Sequence, residues 1–374
     1  MEQYTEYELG SICSRLSSGK GISAKNIADE GEYPVYGGNG LRGYTGSCNF
    51  EGDCAIIGRQ GAFCGNVRYF NGKAYMTEHA VVCCANEEHN TRYLAYLLST
   101  MNLGRLSGQS AQPGLSVKTL SKQIVRMPSL EQQKKVASVL SALDAKIAAN
   151  EKINDNLQQQ AYAYFLQLFI ENADPSWHVG TIADLGTVVG GGTPSKAKPE
   201  YYTDDGIAWI TPKDLSIDKS KFIAHGENDI SELGYRNSSA TMMPTGTVLF
   251  SSRAPIGYIA IASNEVTTNQ GFKSVVPRPE IGTPFVYYFL IHNLPLIESK
   301  ASGSTFKEVS GSVMKSVEAV IPDGDTIAKF NAFCRPVFEM QEKLEQENRK
   351  LAAMRDSLLP RLMSGEIDVS DISI

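Results

Sequence analysis

At 374 residues, with 42% hydrophobic and 20% charged side chains, the chain is long enough to bury more than one core and too apolar to be disordered or fibrous. No run of 18 apolar residues predicts a membrane span, and the first four residues form neither a basic nor an apolar leader, so a cytoplasmic location is expected. The formal net charge of −6 excludes a uniformly basic surface, but the acidity is uneven: 12 basic against 11 acidic residues in 1–128, 12 against 15 in 174–322, and 7 against 10 in 323–374.

Residues 1–128 carry short apolar runs broken by Gly, Pro, Asn and Asp, the pattern of strands joined by turns. Ala55–Ile57 and Ala80–Val82 predict strands, and Tyr93–Leu98 a short buried helix followed by the polar Ser107–Ser110. The pattern then changes over 129–173. Val136, Leu140, Leu143, Ile147, Asn150, Asn154, Leu157, Ala161, Tyr164 and Leu168 recur at alternating steps of four and three, which is a heptad on one long helix. Residues 174–322 return to strands and turns, with strands expected at Thr247–Phe250 and Ser274–Val276, a buried helix at Phe285–Ile291 and a polar loop at Ser302–Thr305. A second heptad closes the chain in 323–374: Phe330, Phe333, Val337, Met340, Leu344, Glu347, Leu351, Met354 and Leu358. Pro336 interrupts it and should start or kink that helix.

The plan is therefore duplicated. Gly52–Arg59 aligns with Gly246–Arg253 at an offset of 194, which also carries Pro128 onto Pro322 and Val136, Leu143, Asn150, Leu157 and Tyr164 onto Phe330, Val337, Leu344, Leu351 and Leu358. Leu9–Gly10 and Lys20 match Leu185–Gly186 and Lys196 at 176, so the second copy holds a net insertion of 18 residues, expected in surface loops. A narrow stripe on a helix of about 40 residues, about 60 Å long, is too extended to be covered by one small domain. The two helices should cover each other. Antiparallel pairing sets Val136 near Leu358 and brings Asn150 and Asn154, the polar seam residues of the first helix, towards Leu344 and Glu347. The expected fold is mixed α/β: two globular domains in tandem repeat, 1–128 and 174–322, separated by two long antiparallel helices forming a coiled coil.

Other motifs argue against alternatives. Seven cysteines without C-x-x-C spacing do not make a disulfide framework, and a zinc site from Cys54, Cys64, His79 and Cys83 lacks finger-like spacing. Gly38–Gly43 satisfies G-x-G-x-x-G, but Tyr44-Thr45-Gly46 opens no helix, and Gly190–Lys196 lacks G-K-[ST].

Several segments stand in a characteristic order: Tyr33–Gly40 with Gly43 and Tyr44, Gly191–Lys196, Trp209–Leu215, Leu249–Gly257, Thr268–Phe272 and the closing Leu358–Ile367. With them the chain resembles the specificity (S) subunits of type I restriction-modification systems over essentially its whole length. The resemblance implies that each globular domain is a target-recognition domain reading one part of a bipartite, asymmetric site on double-stranded DNA. It implies that the helices act as a spacer and dock two methyltransferase (M) subunits, with restriction-translocase (R) subunits as further partners. No catalytic residue and no cofactor belong to this chain on that reading; S-adenosylmethionine, ATP and Mg are expected on the partner subunits.

Candidate DNA contacts follow from side-chain chemistry. Arg59 and Arg253 end matched strand-like runs, and guanidinium is bidentate to guanine and to phosphate; a structural salt bridge is the competing role. Lys20, Lys196, Lys213 and Arg42 could contact phosphate, or simply be solvated. Gln60, Asn39, Asn269 and Gln270 carry amides that pair with adenine or, more ordinarily, cap turns. Thr193, Ser195, Ser110, Ser304 and Thr305 offer hydroxyls to phosphate, against turn formation. The rival reading is a coiled-coil scaffold whose globular ends bind protein or glycan; a shared positive face would favour DNA, and acidic ends the scaffold.

Overall fold

The computed structural model describes residues 4–107, 114–253, 255–303 and 307–372. Packing divides the chain into two units, residues 1–147 with 350–374, and residues 148–349. Each unit thus contains a stretch of both long helices.

In the first unit β1 (Cys13–Ser18), β2 (Tyr33–Gly37), β3 (Gly40–Thr45), β4 (Phe50–Gly58), β5 (Val67–Met76) and β6 (Ala80–Ala85) form one sheet in the order β1-β6-β4-β5-β2-β3. All pairs are antiparallel except β2 with β5. Side chains alternate across a strand, so Ala55, Ile57, Val81 and Cys83 enter one core while Cys54, Ile56 and Val82 enter another with Phe50, Ala74 and Met76. Burial on both faces is why the central strands read as continuous apolar runs. Cys54 and Cys83 consequently lie on opposite faces, which separates the four residues weighed as a zinc site. Gly38 and Asn39 form the connection of the β2–β3 hairpin. Helix α1 (Thr91–Thr100) covers the first face; the Asn90 side chain caps it by accepting the Tyr93 N–H at 2.8 Å. The first part of α2 (Leu130–Leu166) buries Val136 and Leu140 in the same core.

In the second unit β7 (Gly186–Gly190), β8 (Phe222–Ile223), β9 (Val248–Ser252), β10 (Ile256–Ala262) and β11 (Lys273–Pro277) run in the order β7-β11-β9-β10-β8, with only β8 and β10 parallel. The order repeats that of β1-β6-β4-β5-β2, so the sequence duplication is a duplication of topology. Thr247, placed in a strand from sequence, lies one residue before β9. Helix α3 (Thr283–His292) buries Phe285, Val286, Tyr287, Tyr288, Phe289 and Leu290. The inserted segment is more than surface loop. Ile207–Ile210 pairs with Asn228–Ile230 and Thr267–Thr268, Tyr202–Thr203 extends that second sheet, and Ala208, Ile210 and Leu215 build a core of their own with Met243, Leu249 and Phe272.

Helix α4 (Gly324–Ser364) runs through Pro336 without starting there. Within each unit α4 lies antiparallel to α2. In the first, Leu358, Leu359, Leu362 and Met363 meet Val136 and Leu140, and Arg355 Nη1 reaches Asp144 Oδ1 at 2.9 Å. In the second, Asn154 Nδ2 donates to Glu345 Oε1 at 3.2 Å, and the Tyr164 ring lies tilted against Phe333 with centroids 4.7 Å apart. The seam differs from the heptad in one respect. Met340 is 48% exposed, as are Phe333 (39%) and Met354 (53%), whereas Cys334, Phe338, Gln341 and Glu345 are buried beside Phe330 and Leu344. Here α4 serves two neighbours: Phe338 and Glu345 turn towards Phe222 and Tyr288 of the sheet and α3, which rotates Met340 outward. Leu143, Ile147, Leu157, Val337, Leu351 and Leu358 are half-buried.

Gly365, at φ +75°, stops α4, and the Glu366 N–H donates to the Arg361 carbonyl at 3.0 Å. The chain then returns to the first unit, where Val369 and Ile367 join the core and Lys135 Nζ donates to the Ser370 carbonyl at 2.6 Å. Among the described residues no helix is long and apolar enough to cross a membrane.

Candidate nucleic-acid interface

In the second unit the connection leading into β11 acts as a hub. The Gly192 N–H donates to the Thr268 carbonyl at 2.8 Å, and a Cβ at Gly191 would sit 2.0 Å from the Asn269 carbonyl oxygen, so only glycine lets the loop after β7 lie this close. Trp209 of the inserted sheet secures the same loop by donating from Nε1 to the Gly192 carbonyl at 2.9 Å. From the other side the Ser252 N–H, next to Arg253, donates to the Gly271 carbonyl at 2.7 Å. These constraints bring Thr193, Lys196, Lys213, Arg253, Asn269 and Gln270 to the walls of one open cleft of about 470 Å³. Ser195 is exposed on the same loop but is not among the lining residues.

Several of these side chains already have partners. Thr193 donates its hydroxyl to the Gln270 amide oxygen, and the Asn269 Oδ1 accepts the Gly271 N–H at 2.8 Å, the turn-capping role of an amide. Lys213 is ion-paired with Glu227. Arg253 Nη1 lies 3.6 Å from Glu308, whose other oxygen is 3.5 Å from Lys273. Asp214 is buried and accepts from the Thr211 N–H and hydroxyl, both at 2.7 Å, and from the Glu227 N–H at 2.8 Å, closing a capping box on the short helix that presents Lys213. Such a site, with cations, amides and a hydroxyl around an open cleft, can accept phosphate oxygens and pair with base edges.

The first unit has a matching hub at the Met76–Ala80 connection. The Lys20 N–H donates to the Met76 carbonyl at 2.9 Å, and the Arg59 N–H to the His79 carbonyl at 3.0 Å. Arg59 Nη1 also reaches Ser18 Oγ at 3.4 Å. A Cβ on Gly38 would fall 2.9 Å from the His79 carbonyl oxygen, and one on Gly37 3.5 Å from Thr77 Oγ1, so the hairpin bearing Asn39 and Arg42 packs on this connection. Lys20, Asn39, Arg42 and Gln60 are exposed and Arg59 is half-buried. Ser110, Ser304 and Thr305 lie outside the described residues.

The hub residues Thr77, His79 and Thr268 and the counterions Glu227, Glu308 and Lys273 were absent from the sequence-derived set. Glu308 stands 55 positions after Arg253, too far for any spacing rule; only the antiparallel bridge between the two residues brings them together. Trp209 and Thr268 did carry a signal, since each lies in one of the ordered motifs.

Comparison with known proteins adds family and fold. A family model described as the type I restriction modification DNA specificity domain matches residues 1–159 and again 175–330. The type I restriction enzyme MjaIX specificity subunit of Methanocaldococcus jannaschii is 36% identical over 189 residues, 50% of this chain and 44% of that protein. The HindI specificity subunit of Haemophilus influenzae is 24% identical over 331 residues, 68% of this chain and 71% of that protein. The match thus spans less than half the length of the first of these relatives. The crystal structure of a type I restriction-modification system S subunit from M. genitalium shares the fold, with a TM-score of 0.65 at 17% identity over 96% of both chains.

Proposed function

Since this chain belongs to the type I restriction-modification DNA specificity family, with two copies of the domain, we propose that it is the sequence-reading subunit of such a complex. Each target-recognition domain reads one half of a bipartite, asymmetric DNA site through the loops gathered at its hub, and the long helices dock methyltransferase subunits. The chain supplies no catalytic group. S-adenosylmethionine, ATP and Mg act on the methyltransferase and restriction-translocase partners, in the cytoplasm.

One observation carries the reading: Thr193, Lys196, Lys213, Arg253, Asn269 and Gln270, whose side chains suit phosphate oxygens and base edges, line a single cleft. Cations at matched positions beside amides are what a groove reader requires, because phosphate contacts position the protein and base-edge contacts specify the sequence. The test is methylation mapping in a host carrying this chain and its methyltransferase. Two-part adenine-methylated sites should vanish when the chain is deleted; a methylome that does not change overturns the proposal.

A further inference from the structure

We propose that Cys13 and Cys83 form a hydroperoxide-responsive dithiol that closes to an intramolecular disulfide. Cys13 opens β1, and Cys83 lies on β6, its neighbour in the sheet. A shift of register between Cys13 and Arg15 interrupts the ladder at this point, and the two sulfurs stand 3.4 Å apart in hydrogen-bond contact. Both pack in the core between sheet and helices, Cys83 wholly buried and Cys13 only half-buried, so an oxidant in solution meets Cys13 first.

The chemistry of the pair is asymmetric in the same sense. Either sulfur can donate in this contact, which holds the Cys13 thiol below its ordinary range, while the same contact and burial push Cys83 well above it. The thiolate therefore forms on the accessible member, next to a thiol able to resolve a sulfenic acid. Among the described residues no other two cysteine sulfurs share a hydrogen bond. Cys54 and Cys84 are pushed up by burial, to about 12 and about 11.

In the first step the Cys13 thiolate attacks an oxygen of the hydroperoxide. An S–O bond forms, the O–O bond breaks, and the alkoxide or hydroxide leaves and takes up a proton. In the second, the Cys83 sulfur attacks the Cys13 sulfur, the S–O bond breaks, and the departing oxygen leaves as water with the Cys83 proton. Two thiols are oxidised by two electrons, and the hydroperoxide is reduced to an alcohol, or water, plus water.

The experiment uses the full chain, reduced, freed of reductant and treated with hydrogen peroxide, followed by alkylation under denaturing conditions and mass mapping. The expected product is a Cys13–Cys83 cross-linked peptide and a loss of about 2 Da from the intact chain. In Cys83→Ser a dimedone adduct should appear at Cys13 instead, and Cys48→Ser with Cys64→Ser should leave the cross-link intact. Wild-type chain in which Cys13 and Cys83 are recovered as free thiols, Cys13 is carried through to the sulfinic acid, or Cys13 is linked to another cysteine overturns the proposal, whether or not either variant folds.

Discussion

Asn150, wholly buried near the middle of α2, donates from Nδ2 to Glu347 Oε2 on α4 at 2.8 Å, and at the same distance to Asn348 Oδ1. A slip of one heptad along α4 would exchange the two acceptors, Glu347 and Asn348, for Met340 and Gln341 or for Met354 and Arg355, so the carboxylate and at least one strong acceptor are lost either way. The contact therefore ties the pairing to one register. Asn150→Ala should lower stability by about 1–3 kcal/mol, read as a reduced urea midpoint; an unchanged midpoint would show that the apolar seam aligns the helices unaided.

Lys221 makes the second unit pH-dependent. It is buried among Tyr287, Tyr288 and Phe338, donates to Gln341 Oε1 at 2.5 Å, and burial pulls its amine down to about 7. Between about pH 7 and its ordinary value the unfolded chain holds a proton the folded chain lacks, so stability rises with pH in that window, by at most about 1.4 kcal/mol per pH unit, and this contribution is flat below it. Glu345, raised by burial, works in the opposite sense: its stabilisation is present at low pH and is lost as pH rises through its folded value. Lys221→Met should flatten the difference in unfolding free energy between pH 7 and 9. A slope identical to wild type would assign it to other groups.

Glu308 is ion-paired with both Arg253 and Lys273 beside the cleft and offsets one of their two positive charges. If the cleft binds DNA, Arg253→Ala should weaken duplex binding by about 1–3 kcal/mol, while Glu308→Gln should tighten binding to random-sequence duplex and steepen its salt dependence. Glu298→Gln removes the same charge from an exposed helix position and serves as the control. Binding isotherms at several salt concentrations distinguish the outcomes, and equal slopes for both acidic variants would discard the special role of Glu308.

Two neighbouring glycines should behave differently. A Cβ at Gly190 meets nothing within 4 Å, whereas at Gly191 it meets the Asn269 carbonyl at 2.0 Å. Gly190→Ala should stay within about 0.5 kcal/mol of wild type and Gly191→Ala should cost more than about 2 kcal/mol. Equal thermal midpoints for the two would mean that the loop can move off the hub at little cost.

On α4, Phe338→Ala should cost about 3–5 kcal/mol, since the ring packs edge-on to Phe222 and Tyr287. Met340→Lys should be tolerated within about 0.5 kcal/mol. Reversal of that order, by denaturant titration, would restore Met340 to the seam.

Much of the fold was legible locally. Ala55–Ile57, Ala80–Val82 and Ser274–Val276 lie in strands, Tyr93–Leu98 and Phe285–Ile291 in helices, because the period of apolar residues along a segment reports the geometry of its backbone. The duplicated order was legible too, and the two sheets repeat it. The heptad was less reliable over 330–345, because a helix flanked by a partner helix on one side and a domain on another buries a wider arc than a two-helix seam, and periodicity alone does not say which side prevails. Trp209 and Asp214 stood in a recognisable motif, but their roles, an indole tied to Gly192 and a carboxylate spent on a capping box, needed coordinates.

What the sequence determined by itself is a tandem plan of two strand-rich domains, each followed by a heptad helix, and the family to which that order of motifs belongs. Tertiary structure alone decided that the segment after Gly365 completes the core of the first unit, that Glu308 pairs with Arg253, that Cys13 meets Cys83, and that six polar side chains drawn from four stretches of chain share one cleft. Local patterns arise from the repeat of a helix or a strand and are written in neighbouring residues; contacts such as these depend on how sheets, loops and helices close upon one another, and no nearby residue encodes them.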